Sequence, residues 1–222
     1  MKERPILFSA PMVRAILSGS KSQTRRVVKP QPTDGGLEWA TACGGDFAAW
    51  QDPLLLLDEH SEDGGPCQRQ CPYGQPGDRL WVRETFAIVP RTAYRCSEGV
   101  QQTLRPDDEF EHDAAIYKAG WDRSNGGFRW RPSIHMPRWA SRISMEIVSV
   151  RVERLQDISE ADAQAEGCAL ECMTPTGDDS GSAIHGPGGY IALWESINGP
   201  GSWDANPWVW VVEVKRVEGG AA

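Results

Sequence analysis

A lysine and a threonine three residues apart, Lys21 and Thr24, stand in the run Gly19-Ser20-Lys21-Ser22-Gln23-Thr24-Arg25-Arg26. In a single helical turn, positions three apart share a face. The Lys21 amine and the Thr24 hydroxyl would then meet over one spot, with Arg25 and Arg26 leading away into a strand. A lysine whose pKa is lowered by burial can take the proton of a hydroxyl. Arginines clamp anionic or planar polar groups. The same spacing also suits a solvated turn at a helix end followed by an ordinary strand, and spacing alone does not choose.

Glu84 is the next candidate. Residues 80–86 set Leu80, Val82 and Glu84 against Trp81, Arg83 and Thr85, the alternation of a strand. Glu84 then shares a face with two apolar residues. A core-facing carboxylate is costly unless paired, and Lys21 or an arginine is its natural partner. A sheet-edge glutamate in water is the plainer alternative. A third group interleaves basic and aromatic side chains: Arg129, Trp130, Arg131, His135, Arg138, Trp139 and Arg142. Such a mixture can stack on a base and hold a phosphate or carbonyl by charge; it can equally be structural packing. His135 taken alone reads as a hydrogen-bonded structural histidine.

The elements that must position these groups follow from local pattern. Residues 4–9 read as a strand, and Ser9 is placed to cap a short amphipathic helix over 11–18, with Pro11 in its first turn. Gly19 ends that helix. Residues 24–29 form a second strand, stopped by Pro30 and Pro32. Strands are expected over 114–118, 143–155 and 208–217, and helices over 159–166, capped by Ser159 and stopped by Gly167, and over 190–197. Residues 33–66 and 90–112 read as loop insertions, the first a candidate lid, and 173–189 as a glycine-rich loop. No repeat, glycine-rich phosphate loop, His-Glu-x-x-His or Gly-x-Ser-x-Gly is present. The order of elements gives a mixed α/β (α+β) chain: a single domain over 1–222, built as a small, mostly antiparallel barrel with flanking helices.

Composition narrows the partners. The chain has 222 residues and a net charge of −8, which disfavours a broad grip on long nucleic acid and favours a small ligand held by local arginines. Ten tryptophans, most in the second half, leave one or two for stacking on a base after packing has taken its share. No apolar run approaches the roughly 20 residues of a membrane span, and the N-terminus lacks a signal peptide's apolar core. The expectation is a cytoplasmic protein, a monomer, away from membranes, with reduced cysteines. Four of its six cysteines form two Cys-x3-Cys pairs, Cys67/Cys71 and Cys168/Cys172. The spacing falls within the range of zinc knuckles, but the separation of the pairs favours free thiols and no metal.

The run from Gly19 to Arg26 resembles the Gly-x-Lys-x-x-Thr-x-Arg signature of the ASCH superfamily, whose fold is a PUA-like β-barrel. Cys71-Pro72-Tyr73-Gly74, Trp81-Val82-Arg83-Glu84, residues 132–142 and residues 155–167 are similar to blocks of the ASCH-domain proteins common in bacteriophages and prophages. Outside the loops at 33–66 and 90–112 the resemblance covers most of the chain. It implies one of two activities. Some ASCH proteins are amidohydrolases, acting on a non-peptide C–N bond, that remove the acyl group from N(4)-acetylcytidine and related N(4)-acylated cytosines. Lys21, Thr24 and Glu84 match their catalytic positions one by one. Other ASCH members are thought to bind RNA or to cut single strands of it, and a fold alone does not choose.

Amide hydrolysis asks for a nucleophile, a base that later protonates the leaving amine, and stabilisation of the oxyanion. The resemblance gives Thr24 as nucleophile and Lys21 as its base, with Glu84 either orienting Lys21 or activating the water that frees the acyl group. Trp130 and Trp139 would stack on the base, Arg26 would hold a carbonyl or the ribose side, and His135 and Arg138 complete the substrate-binding set. The partner implied is a small modified nucleoside, with RNA as the alternative, and no cofactor is called for.

Overall fold

The longest β-rich runs of the sequence become its longest strands, and shorter alternating segments pair around them. The computed structural model describes residues 1–31, 56–58, 67–69, 71–94, 97–106, 113–123, 127–167 and 187–217. Its elements are β1 (Glu3–Leu7), α1 (Ala10–Leu17), β2 (Gln23–Val27), β3 (Leu56–Asp58), β4 (Cys67–Arg69), β5 (Arg79–Arg83), β6 (Phe86–Pro90) and β7 (Thr103–Leu104). There follow β8 (Asp113–Tyr117), β9 (Ser144–Arg154), α2 (Glu160–Ala165), α3 (Pro187–Asn198) and β10 (Trp208–Val217). By contacts the chain forms two compact units. The first comprises Met1–Gly19, Gly77–Glu146 and Lys215–Ala222, and the second Ser20–Pro76 and Ile147–Val214.

In the first unit β1 runs parallel to β5, with Pro5 opposite Trp81 and Leu7 opposite Arg83. The first residues of β9 pair antiparallel with β5, Leu80 facing Met145. A separate antiparallel sheet has the order β6-β8-β7. Successive side chains of a strand point to opposite faces, and here both faces are covered. Phe86, Ala115 and Tyr117 pack with Met136 and Ala140. Ala87, Val89, Ala114 and Ile116 pack with Tyr94, Trp121, Phe128 and Trp130. That double cover explains why residues 113–117 are apolar at nearly every position.

In the second unit β2 pairs antiparallel with β10, Thr24 opposite Val212 and Gln23 opposite Glu213. The remainder of β9 lies on the other side of β10, and β3 pairs antiparallel with β4. Leu155, Ile158 and Ala163 meet Tyr190 and Trp194 of α3 and Val209 and Val211 of β10 in one buried cluster. The helix α2 is fixed locally: the Asp162 amide donates to the Ser159 hydroxyl at 3.1 Å, and Gly167 (φ 81°) turns the chain out of it.

The structure is mixed α/β with mostly antiparallel pairing, and among the described residues its sheets stay open. Several sequence expectations shift. The strand expected over 80–86 is two strands, β5 and β6, with Glu84 and Thr85 between them. The stretch 90–112 contains β7, and β3 falls within 33–66. Most of 33–66, along with 173–186, lies outside the described residues. Ser9 precedes α1 but makes no side-chain cap. Pro11 removes one of the amide donors that a capping hydroxyl would take.

Candidate functional site

Lys21 and Thr24 belong to the second unit, Glu84 to the first. Lys21 and Ser22 are extended rather than helical. Lys21 bridges antiparallel to Glu166, the Ser22 amide donates to the Ala165 carbonyl at 2.9 Å, and the Ser22 carbonyl accepts from the Val214 amide at 2.8 Å. The backbone is thus drawn into pairing between the end of α2 and β10, which straightens the expected turn. The Lys21 side chain is buried. Its Nζ donates to the Gln23 carbonyl, the Glu166 carbonyl and Glu166 Oε2, each at 2.7 Å. Three acceptors use the three N–H bonds of an ammonium.

Arg25, also buried, extends this centre. Its guanidinium donates to Glu153 Oε1 from Nε at 3.1 Å and to Gln23 Oε1 from Nη1, and reaches Glu166 Oε1 at 3.5 Å and Asp162 Oδ2 at 3.3 Å. Gln23 Nε2 donates to Asp162 Oδ1 at 3.0 Å, and Arg151 contacts Glu153, Asp162 and Glu213. Burial pushes the Asp162 carboxyl up. Hydrogen bonds from Gln23 and Ser159 and the charges of Arg25 and Arg151 outweigh it and hold the group down at about 2. Strand alternation sets Thr24 and Arg26 on the opposite face of β2 from Gln23 and Arg25. Thr24 is buried, at 2% exposure, and Arg26 half-buried. The phenol of Tyr73 is raised by burial, against the nearby Arg26 charge.

Glu84 is likewise 2% exposed. Its partner is Arg142, which donates from Nε to Oε1 at 2.8 Å and from Nη2 to Oε2 at 2.9 Å. This is the two-pronged geometry that suits a buried carboxylate. Burial raises the Glu84 carboxyl above its ordinary range, with Arg142 opposing that shift. The Arg142 guanidinium lies 4.0 Å from the Tyr117 ring centroid and donates to Gln101 Oε1 at 2.6 Å. Tyr117 donates to the Ala140 carbonyl at 2.8 Å and contacts Thr103, and burial pushes its phenol well above the ordinary range. Beside this pair opens a cavity of about 230 Å³, lined by Gln101, Tyr117, Gly120, Trp121 and Arg142 among others.

Of the remaining expected site residues, Trp130, Trp139 and Arg138 are engaged in packing or ion pairs. Trp130 stands edge-on to Trp121 and Phe128, with centroids 5.5 and 5.1 Å away. Trp139 packs beside Met136 and Ala140, with the Arg105 guanidinium 6.0 Å from its ring centroid. Arg138 donates to Glu3 Oε2 at 3.0 Å, and His135 is exposed in the short turn Ser133–His135. Cys71 is buried, and Cys168 and Cys172 lie outside the described residues. Glu166, Asp162 and Glu153 were not singled out from sequence. The one local signal was Glu166 standing directly before the helix-ending Gly167. Among the described residues no helix is long and apolar enough to cross a membrane.

In comparisons, no family model, no curated protein and no solved structure matches the chain.

Two outcomes follow from these centres. Asp162 is held below its ordinary 3.8, so its stabilisation is present above that pH and lost as pH falls from about 4 towards 2. Asp162→Asn therefore lowers the urea midpoint at pH 6, and the gap from wild type closes towards pH 2. Arg142→Met strands a buried carboxylate and costs about 3–5 kcal/mol in urea unfolding. Adding Glu84→Gln to that variant recovers part of the loss, read as a double-mutant cycle.

Proposed function

We propose that this protein is an amidohydrolase that removes the acyl group from N(4)-acylated cytosines such as N(4)-acetylcytidine. The observation that carries the reading is the burial of Lys21, Thr24 and Glu84, at 5%, 2% and 2% exposure. These are the three residues that match the hydrolase positions of the ASCH signature. Buried ionisable groups are costly and concentrate where chemistry uses them. Burial raises the Glu84 carboxyl, the direction that makes a carboxylate a better proton acceptor.

The bonding of Lys21 refines the roles. For Lys21 to act as base, a proton passes first from Nζ to Glu166 Oε2, 2.7 Å away. In this reading the Lys21 stem then swings from the ionic side of β2 to the face that holds Thr24, and the freed amine takes the Thr24 proton as Oγ1 attacks the acyl carbon. Collapse of the tetrahedral intermediate breaks the C–N bond, and the exocyclic amine leaves with the proton held on Nζ. Glu166 holds Lys21 and Arg142 holds Glu84; in this reading Glu84 is kept as the carboxylate that activates water. The finer fold in this reading is the PUA-like barrel of the ASCH domain, and the protein works as a cytoplasmic monomer on a small nucleoside.

The test is incubation with N(4)-acetylcytidine, following cytidine release by ultraviolet absorbance. Wild type releases cytidine, and Lys21→Ala, Thr24→Ala and Glu84→Ala each lose about 100-fold or more while staying folded. No release by the wild type overturns the reading. It would turn attention to the exposed Arg129, Arg131 and His135 and to a labelled single-stranded RNA, whose binding would weaken steeply with salt.

A further inference from the structure

The cavity beside Arg142 has walls of a particular chemistry. At about 230 Å³ it lies below the roughly 300–1,000 Å³ of pockets for drug-sized molecules, so it takes one ring with small substituents and no oligomer. Two of its walls, Tyr117 and Trp121, are aromatic. Trp121 is held in place edge-on by Tyr94 and Phe128, both with centroids 5.3 Å away. Gly120 also lines it, with φ 88°, a backbone state in which a larger residue would be strained.

Its charge is close to balanced. Arg142 is the cation of the lining, and its two-pronged pair with Glu84 neutralises it. The lining Asp122 has a side chain 85% exposed, with Arg123 Nε 3.6 Å away, so its charge is met by water and by a cation. An ionic ligand would find no uncompensated countercharge.

Of its lining side chains, Arg142 and Gln101 offer donors. Arg142 gives Nε and Nη2 to Glu84, its second Nη2 bond to the Ala119 carbonyl at 3.5 Å, and one Nη1 bond to Gln101 Oε1. A guanidinium has five N–H groups, which leaves the second one on Nη1. Gln101 spends its carbonyl on Arg142, so its amide nitrogen is the end turned to other acceptors.

We propose that this cavity binds a small, uncharged, planar ring bearing a carbonyl acceptor. Resting on the hydrolase reading above, the ring is cytosine, the base that such a hydrolase releases. Trp121 flanks the ring, and its carbonyl oxygen accepts from Arg142 Nη1 and the Gln101 amide. This moves base recognition from Trp130 and Trp139 to Trp121, Gln101 and Arg142.

The experiment is calorimetric titration of the full chain with cytosine, which has no acyl group to lose. Wild type binds one equivalent. Gln101→Ala, a change at an exposed side chain, weakens binding about tenfold, the worth of one hydrogen bond. Trp121→Leu weakens it further, with near-ultraviolet circular dichroism reporting whether the aromatic cluster persists. Orotate, a pyrimidine of similar size carrying a carboxylate, does not displace cytosine. Failure of cytosine to bind at millimolar concentration, or equal binding by Gln101→Ala, overturns the proposal; continued release from N(4)-acetylcytidine would then leave the hydrolase reading standing without it. Gln101-dependent cytosine binding in a protein that releases nothing supports the cavity and removes the hydrolase.

Discussion

The second unit depends on the carboxylate of Glu166. One of its oxygens accepts from Lys21 at 2.7 Å and the other faces Arg25 at 3.5 Å. A buried carboxylate flanked by two cations is tolerable only when its lone pairs and their N–H groups are matched. Gln23, Glu153 and Asp162 supply the rest of that matching. The network joins β2 to the end of α2 and to β9, with partners 145 and 128 residues apart in sequence. Backbone pairing of Lys21 with Glu166 fixes the same contact a second time. A fault at Glu166 would leave two buried cations with one acceptor fewer each, which is why the register of β2 and the placing of α2 hang together.

Two-sidedness is the organising device of β2. Its odd residues, Gln23 and Arg25, enter the ionic centre, and its even residues, Thr24 and Arg26, face the other way. The run from Lys21 to Arg26 therefore spans two environments and not one helical face. Lys21 reaches the ionic side through its own long stem, and Thr24 is buried opposite. Charge is partitioned as well. The first unit carries 16 Lys and Arg against 12 Asp and Glu, the second 7 against 19. The net −8 of the chain is an average over a mildly basic unit and a strongly acidic one.

Regular elements were legible because their signals are local. The strand over 208–217 is legible as an apolar, β-rich run and the Ser159-capped helix from capping chemistry, and β10 and α2 fall where those patterns put them. The pairing of Glu84 was legible in kind, since a carboxylate between apolar residues demands a cation. Its identity was not, because Arg142 is 58 residues away and nothing local joins them. The break between β5 and β6 escaped because Glu84 and Thr85 continue the alternation while leaving the ladder. The straightening of Lys21 escaped for the same kind of reason: its partner, Glu166, is 145 residues distant. Spacing of three suggested a helical face, and long-range pairing overrode it.

The central claim is that Lys21 is a fixed ammonium oriented by Glu166. The most direct measurement is the nitrogen-15 signal of the Lys21 side chain in lysine-labelled protein at neutral pH, with Glu166→Gln alongside. A buried ammonium with three acceptors exchanges its protons slowly, so the account predicts a resolved signal in the wild type that broadens or disappears in Glu166→Gln. An unprotonated amine in the wild type, or an ammonium whose exchange is the same in both proteins, would contradict it.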